Sequence, residues 1–79
     1  MISFEFEGNT FECDETVAHD YKVIKAMAKA QANPAALFDS FERMFAGRDE
    51  EYAEKVGGTI EAMTDLFSAA IVAAGAKNS

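Results

Sequence analysis

The first thirteen residues confine the fold more tightly than the rest of the chain. Ile2, Phe4 and Phe6 alternate with Ser3, Glu5 and Glu7, and Gly8-Asn9 stands before a second run from Thr10 to Cys13. Alternation with a period of two is the pattern of a strand with one buried face, and a glycine-containing pair between two such runs marks a hairpin. A two-residue Gly8-Asn9 turn pairs Glu7 with Thr10, Phe6 with Phe11, Glu5 with Glu12 and Phe4 with Cys13. Directly opposed residues of an antiparallel pair point the same way, so Phe4, Phe6, Phe11 and Cys13 share one face. The other face is rich in carboxylates, and Glu5 opposite Glu12 is a mildly unfavourable like-charge pair. A lone two-stranded hairpin is marginal in water. Its aromatic face therefore needs a cover from the remaining chain.

That remainder reads as helices. Asp14 suits the N-cap of a first helix running to about Gln31, with Glu15 in its first turn favoured by the helix dipole. Val17, Tyr21, Ile24 and Ala28 form an apolar stripe at helical spacing, flanked by Val23 and Met27. Lys22, Lys25 and Lys29 form a second stripe, which holds the only concentrated positive charge in the sequence. Ala32-Asn33-Pro34 then punctuates the chain, since the residue before proline avoids the helical region and Pro34 suits the first position of a new helix. This second helix, from about Pro34 to Phe45, presents Leu37, Phe38, Phe41, Met44 and Phe45, a wide apolar surface for a short element, and Gly47 stops it. Asp49 to Lys55 reads as a short acidic helix ended by Val56-Gly57-Gly58. Thr59 caps a last helix in which Ile60, Met63, Leu66, Phe67, Ala70, Ile71 and Ala74 recur at helical intervals before Gly75. The fold class expected is α+β and mostly helical, with an N-terminal two-stranded antiparallel hairpin packed on a small bundle of three to four helices. It forms a single domain over residues 1–75 with a mobile tail at 76–79, and no internal repeat, low-complexity segment or linker divides it.

Size and charge narrow the function. Seventy-nine residues bury only about 60–65% of the surface of the unfolded chain, so the core is thin, and a partner or self-association is a natural further source of stability. Cys13 is the single cysteine and forms no disulfide within the monomer. Fourteen acidic against seven basic residues leave a formal charge of −7, which repels nucleic-acid phosphates and anionic lipid at long range. The longest weakly polar stretch, Leu66 to Ala76, falls short of the roughly 20 residues a bilayer span needs. Met1-Ile2-Ser3-Phe4-Glu5 lacks the positive start and apolar run of a signal peptide, so a cytoplasmic location is expected.

The candidate chemical groups have plain structural readings. Cys13 with His19 as base is a conceivable nucleophilic pair, but the hairpin places Cys13 among phenylalanines, where free cysteine behaves as a small hydrophobe. His19, the sole histidine, falls among polar residues near the start of the first helix. Asp49, Glu50, Glu51 and Glu54 lack the spacing and internal glycine of a calcium loop and suit a solvated helix start, with Glu51 placed to pair with Lys55. Gly57-Gly58 is followed by no phosphate-loop pattern. No catalytic residue, metal site or cofactor is expected, and the protein reads as a binding module and not an enzyme. The candidate partner-binding residues are Lys22, Lys25 and Lys29 on one helix and the aromatic stripe Phe38, Phe41 and Phe45 on the next, with core packing claiming at least two of the three rings.

The order of these segments resembles the tail assembly chaperones of long-tailed bacteriophages. Ile2 to Asp14 looks like that family's opening hairpin, Asp20-Tyr21-Lys22-Val23 is similar to its Asp-aromatic-x-Val segment, and Asn33-Pro34, Gly47, the acidic short helix, Gly57-Gly58 and a last amphipathic helix complete the order. The resemblance implies a host-cytoplasmic protein that binds the tape measure protein and helps recruit tail tube subunits without remaining in the virion. Cys13 stands where an aliphatic residue is expected, and the final helix is unusually rich in alanine. A competing reading is an acidic phage-encoded inhibitor of host defence, a nucleic-acid mimic of the anti-CRISPR or anti-restriction type. Such a mimic needs a continuous acidic face, which Lys22, Lys25 and Lys29 interrupt.

Overall fold

The computed structural model describes residues 1–28 and 34–77. Strands β1 (Ile2–Phe6) and β2 (Asn9–Cys13) form an antiparallel hairpin, followed by α1 (Glu15–Ala18), α2 (Tyr21–Ala28), α3 (Pro34–Met44), α4 (Asp49–Val56) and α5 (Ile60–Lys77). The α+β, mostly helical class is as the sequence leads one to expect. α5 runs through Gly75 to Lys77 instead of ending there, and residues 78 and 79 of the expected tail lie outside the described residues. Among the described residues no single helix is long and apolar enough to cross a membrane.

The hairpin keeps the expected faces but shifts its register by two residues. Phe4 opposes Phe11, Ile2 opposes Cys13 and Phe6 opposes Asn9, so the turn residues are Glu7 and Gly8 and not Gly8 and Asn9. Both turn residues have positive φ, 50° and 84°, as the tight two-residue turn matching strand twist requires. This register stacks Phe4 beside Phe11 with ring centroids 6.0 Å apart. It also sets Glu5 opposite Thr10, so that Glu5 and Glu12 no longer stand directly opposite each other. Because the shift is even, no side chain changes face.

Asp14 caps α1 as expected: its carboxylate accepts from the Thr16 backbone N–H at 2.9 Å and from the Thr16 hydroxyl at 2.6 Å. The expected single helix from Asp14 to Gln31 is instead two, and Gln31 lies outside the described residues. α1 closes at His19, and Asp20 starts α2 by accepting from the Lys22 N–H at 2.8 Å, a second cap that outcompetes continuation of the first helix. The break rotates the expected apolar stripe. Val17 and Val23 are buried, whereas Tyr21 and Ile24 point to solvent.

α5 is the spine of the core. Its Leu66, Phe67, Ala70 and Ala74 are fully buried, and the two alanines lie on the helix that meets β1 and α1. Small side chains let backbones approach there, which gives the alanine-rich composition a packing role: the Cys13 sulfur sits 4.0 Å from the Ala70 carbonyl oxygen. Tyr52 of α4, buried to 1% exposure, closes the other side. Its ring meets Phe11 and Phe45 edge to face at 4.9 and 5.3 Å, and its hydroxyl accepts from the Glu12 backbone N–H at 3.1 Å.

Candidate functional site

Two chain reversals position the surface on which the α3, α4 and α5 helices leave an opening. α3 ends in a left-handed cap in which the Gly47 N–H donates to Glu42 at 2.9 Å and the Ala46 N–H to Arg43 at 3.4 Å. Ala46 itself occupies the first left-handed position, with φ 54°, a conformation that disfavours a side chain. Gly47 follows at φ 84°. At the far end of α4, Gly57 and Gly58 both have positive φ, and the Gly58 N–H donates to Ala53 at 2.7 Å. The chain turns by 110° between α4 and α5. Thr59 caps α5 as expected, its hydroxyl accepting from the Ala62 N–H at 3.0 Å.

Between these helices lies a cleft of about 630 Å³. Phe41, Ala53 and Met63 form its floor, and Phe38 and Ile60, each 50% exposed, stand in its walls. Asp39 and Glu42 from α3 and Asp49 and Glu50 from the first turn of α4 rim it, and among the described residues no basic side chain lines it. Among the described residues none of these four carboxylates has an ion-pair partner, because the neighbouring cations are engaged elsewhere: Arg43 with Asp20 at 3.3 Å, Arg48 with Glu51 at 2.8 Å and Glu12 at 3.9 Å. Asp49 and Glu50 tolerate the crowding since they stand at a helix N-terminus, where the dipole favours negative charge. The cleft is an apolar groove in an acidic frame, suited to a cationic amphiphilic partner.

The structure sorts the expected partner-binding residues. Phe38 lines the cleft. Phe41 and Phe45 are corrected to core residues, at 3% and 0% exposure: Phe41 packs on Phe67 with centroids 5.7 Å apart, and Phe45 on Tyr52. Phe41 also lines the cleft. Lys22 and Lys25 are exposed on α2, with the Lys25 ammonium 5.9 Å from the Tyr21 ring centre, and Lys29 lies outside the described residues. Ile60, grouped with the core stripe of α5 by its spacing, is half exposed in the cleft wall. Glu51 pairs with Arg48 instead of Lys55, whose ammonium lies 5.8 Å from the Tyr52 ring centre.

Cys13 is buried, and desolvation, reinforced by nearby Glu15 and Asp14, pushes its thiol up to about 11, which suppresses the reactive thiolate at neutral pH. His19 is exposed at the end of α1. Among the described residues no three His, Cys, Asp or Glu side chains converge as metal ligands. Asp39, Glu42, Ile60 and Met63 were not visible as site residues in sequence. A signal existed for Phe38 alone: at about 100° per residue it stands at one edge of the apolar stripe of α3. Compared with protein-family models, with curated proteins and with solved structures, the chain matches none.

Proposed function

We propose that this protein is a phage tail assembly chaperone, a binding module that holds the tape measure protein or the tail tube protein during tail morphogenesis in the host cytoplasm. The order of hairpin and helices in the sequence motivates the family. The cleft between α3, α4 and α5 is the observation that carries a binding role, because Phe38 and Ile60 remain half exposed beside four carboxylates that lack ion-pair partners among the described residues. An apolar groove with a charged rim is the arrangement used to capture amphipathic helices, and a long, helical, often basic tape measure protein offers such segments.

Co-expression with the very long helix-rich reading frame of the same tail gene cluster tests this. The long protein is expected to become soluble and to co-purify with the chaperone. Phe38→Ser should weaken that association at least ten-fold while circular dichroism stays native, since one well-placed aromatic commonly dominates an interface. Absence of any contact with tail proteins, together with tight and DNA-competitive binding to a defence complex, would transfer the chain to the acidic-inhibitor class.

A further inference from the structure

We propose that strand β1 receives, as a third and antiparallel strand, an extended segment of a foreign protein in which cationic and apolar residues alternate. The register decides which groups of β1 are open. In a two-residue hairpin the pair flanking the turn, here Phe6 and Asn9, exchanges both of its backbone bonds, and such pairs recur at every second position. Ile2, Phe4 and Phe6 thus bond inward to β2, whereas Ser3 and Glu5 aim their N–H and C=O groups away from it. β2 follows the same alternation, and its outward N–H groups are taken: that of Glu12 donates to the Tyr52 hydroxyl at 3.1 Å and that of Asp14 to the Met44 carbonyl at 2.8 Å. Among the described residues none bonds to the outward backbone groups of Ser3 and Glu5. One edge of the sheet is closed by α3 and α4, and the other presents the unpaired row that templates a further strand.

The two faces of β1 specify the occupant. Directly opposed residues of an antiparallel pair share a face, so whatever stands opposite Glu5 joins Glu5 and Glu7 on the solvent face. Both are exposed, and among the described residues neither has an ion-pair partner. A lysine or arginine there supplies one. The residue opposite Phe4 falls on the core face, where β1 is the thinner margin: Ile2 and Phe4 keep 9% exposure and Phe6 is partly buried, against 1% and 0% for Phe11 and Cys13 on β2. An apolar side chain there covers surface that water still reaches. Main-chain bonds give strand addition its affinity, and alternate side chains give it specificity. β1 of a second copy does not fit, because pairing would crowd Glu5 and Glu7 of both chains onto one face. The edge shares no residue with the cleft between α3, α4 and α5.

Purified chain and synthetic peptides suffice for the test, and its outcome is independent of the tail-assembly reading. The probes are an end-capped peptide of four valine-lysine repeats, its valine-glutamate counterpart, and two versions of the lysine peptide, N-methylated at every lysine or at every valine. The lysine peptide is expected to bind at least ten-fold more tightly than the glutamate peptide and to slow hydrogen exchange at the Ser3 and Glu5 amides at least ten-fold. In an antiparallel pair with Glu5 it is the lysine N–H that faces β1, so methylation at lysine should abolish binding and methylation at valine should spare it. Ser3→Pro deletes an outward N–H that the hairpin does not use, a change an edge strand tolerates. With circular dichroism native, it should weaken binding at least ten-fold. Glu5→Lys leaves every backbone group in place and should narrow the preference for the lysine peptide at least five-fold. No binding of the lysine peptide up to millimolar concentration overturns the proposal. So does binding indifferent to the position of the methyl groups, or binding that perturbs Phe38 and Ile60 and leaves the Ser3 and Glu5 amides exchanging as before.

Discussion

The hairpin side of the molecule and the cleft use the same materials, phenylalanine and carboxylates, in opposite ways. On the hairpin side Phe11 is 1% exposed, with Phe4 and Tyr52 against it, and the acids next to the core are engaged: Asp14 caps α1, Glu15 pairs with the N-terminal ammonium at 2.9 Å, Glu12 lies near Arg48. In the cleft Phe38 is half exposed and the rim acids lack ion-pair partners among the described residues. Residue type therefore does not distinguish stability from recognition in this chain. The supply of partners does.

The sharpest way to break that contrast is to truncate one ring on each side. Phe11→Ala should cost about 3–5 kcal/mol, a large fraction of what a small domain possesses. Phe38→Ala should cost about 1 kcal/mol or less, because its ring already faces water. Urea unfolding of the two variants checks this, and similar midpoints would erase the distinction. Next in size is Tyr52→Phe, which keeps the edge-to-face rings and removes the acceptor for the Glu12 N–H. A loss of about 1 kcal/mol is expected in thermal unfolding, near the lower end of the range for an orphaned donor since this one is only partly buried.

Ala46→Gly should move stability the other way. Relief of the left-handed conformation at φ 54° is expected to raise the unfolding free energy by about 1 kcal/mol. The smallest effect is at Asp14, whose carboxyl the Thr16 hydrogen bonds hold below the usual range. An acid lowered in the folded state contributes stability that is complete above its unfolded pKa of about 3.9 and is lost as pH falls through the lower folded value. Asp14→Asn, which still caps, should therefore leave stability at pH 7 nearly unchanged and flatten its decline in acid below about pH 4, read by urea midpoints along a pH series.

Much of the fold was legible because its signals are local. The alternation at Ile2, Phe4 and Phe6 defines a buried face whatever the register, and Asp14, Pro34 and Thr59 mark helix starts through bonds or sterics that reach only a few residues. What was not legible depends on competition between near-equal local choices or on contacts distant in sequence. Glu7-Gly8 and Gly8-Asn9 are both acceptable turns, and the Phe4–Phe11 stack together with relief of the Glu5–Glu12 pair favours the first. Asp20 as a second cap was hidden inside an apparently continuous stripe. Tyr52 looks like part of a polar helix, and only the arrival of Phe11, Phe45 and the Glu12 N–H makes it a hub. The cleft was half visible, through Phe38, while its acids came from α3 and α4, which the turn at Ala46-Gly47 brings together.

The lone thiol turns the core into a timepiece. Cys13 is fully covered and lies against the Ala70 backbone of α5, so an alkylating reagent reaches its sulfur only when the hairpin lifts from that helix or the whole chain opens. The native domain carries one chemical group whose rate of modification, at reagent excess, reports the frequency of a single structural event. Binding that braces the helices will slow this clock and binding that loosens them will quicken it, so the chain announces how a partner changes its breathing without any label being added.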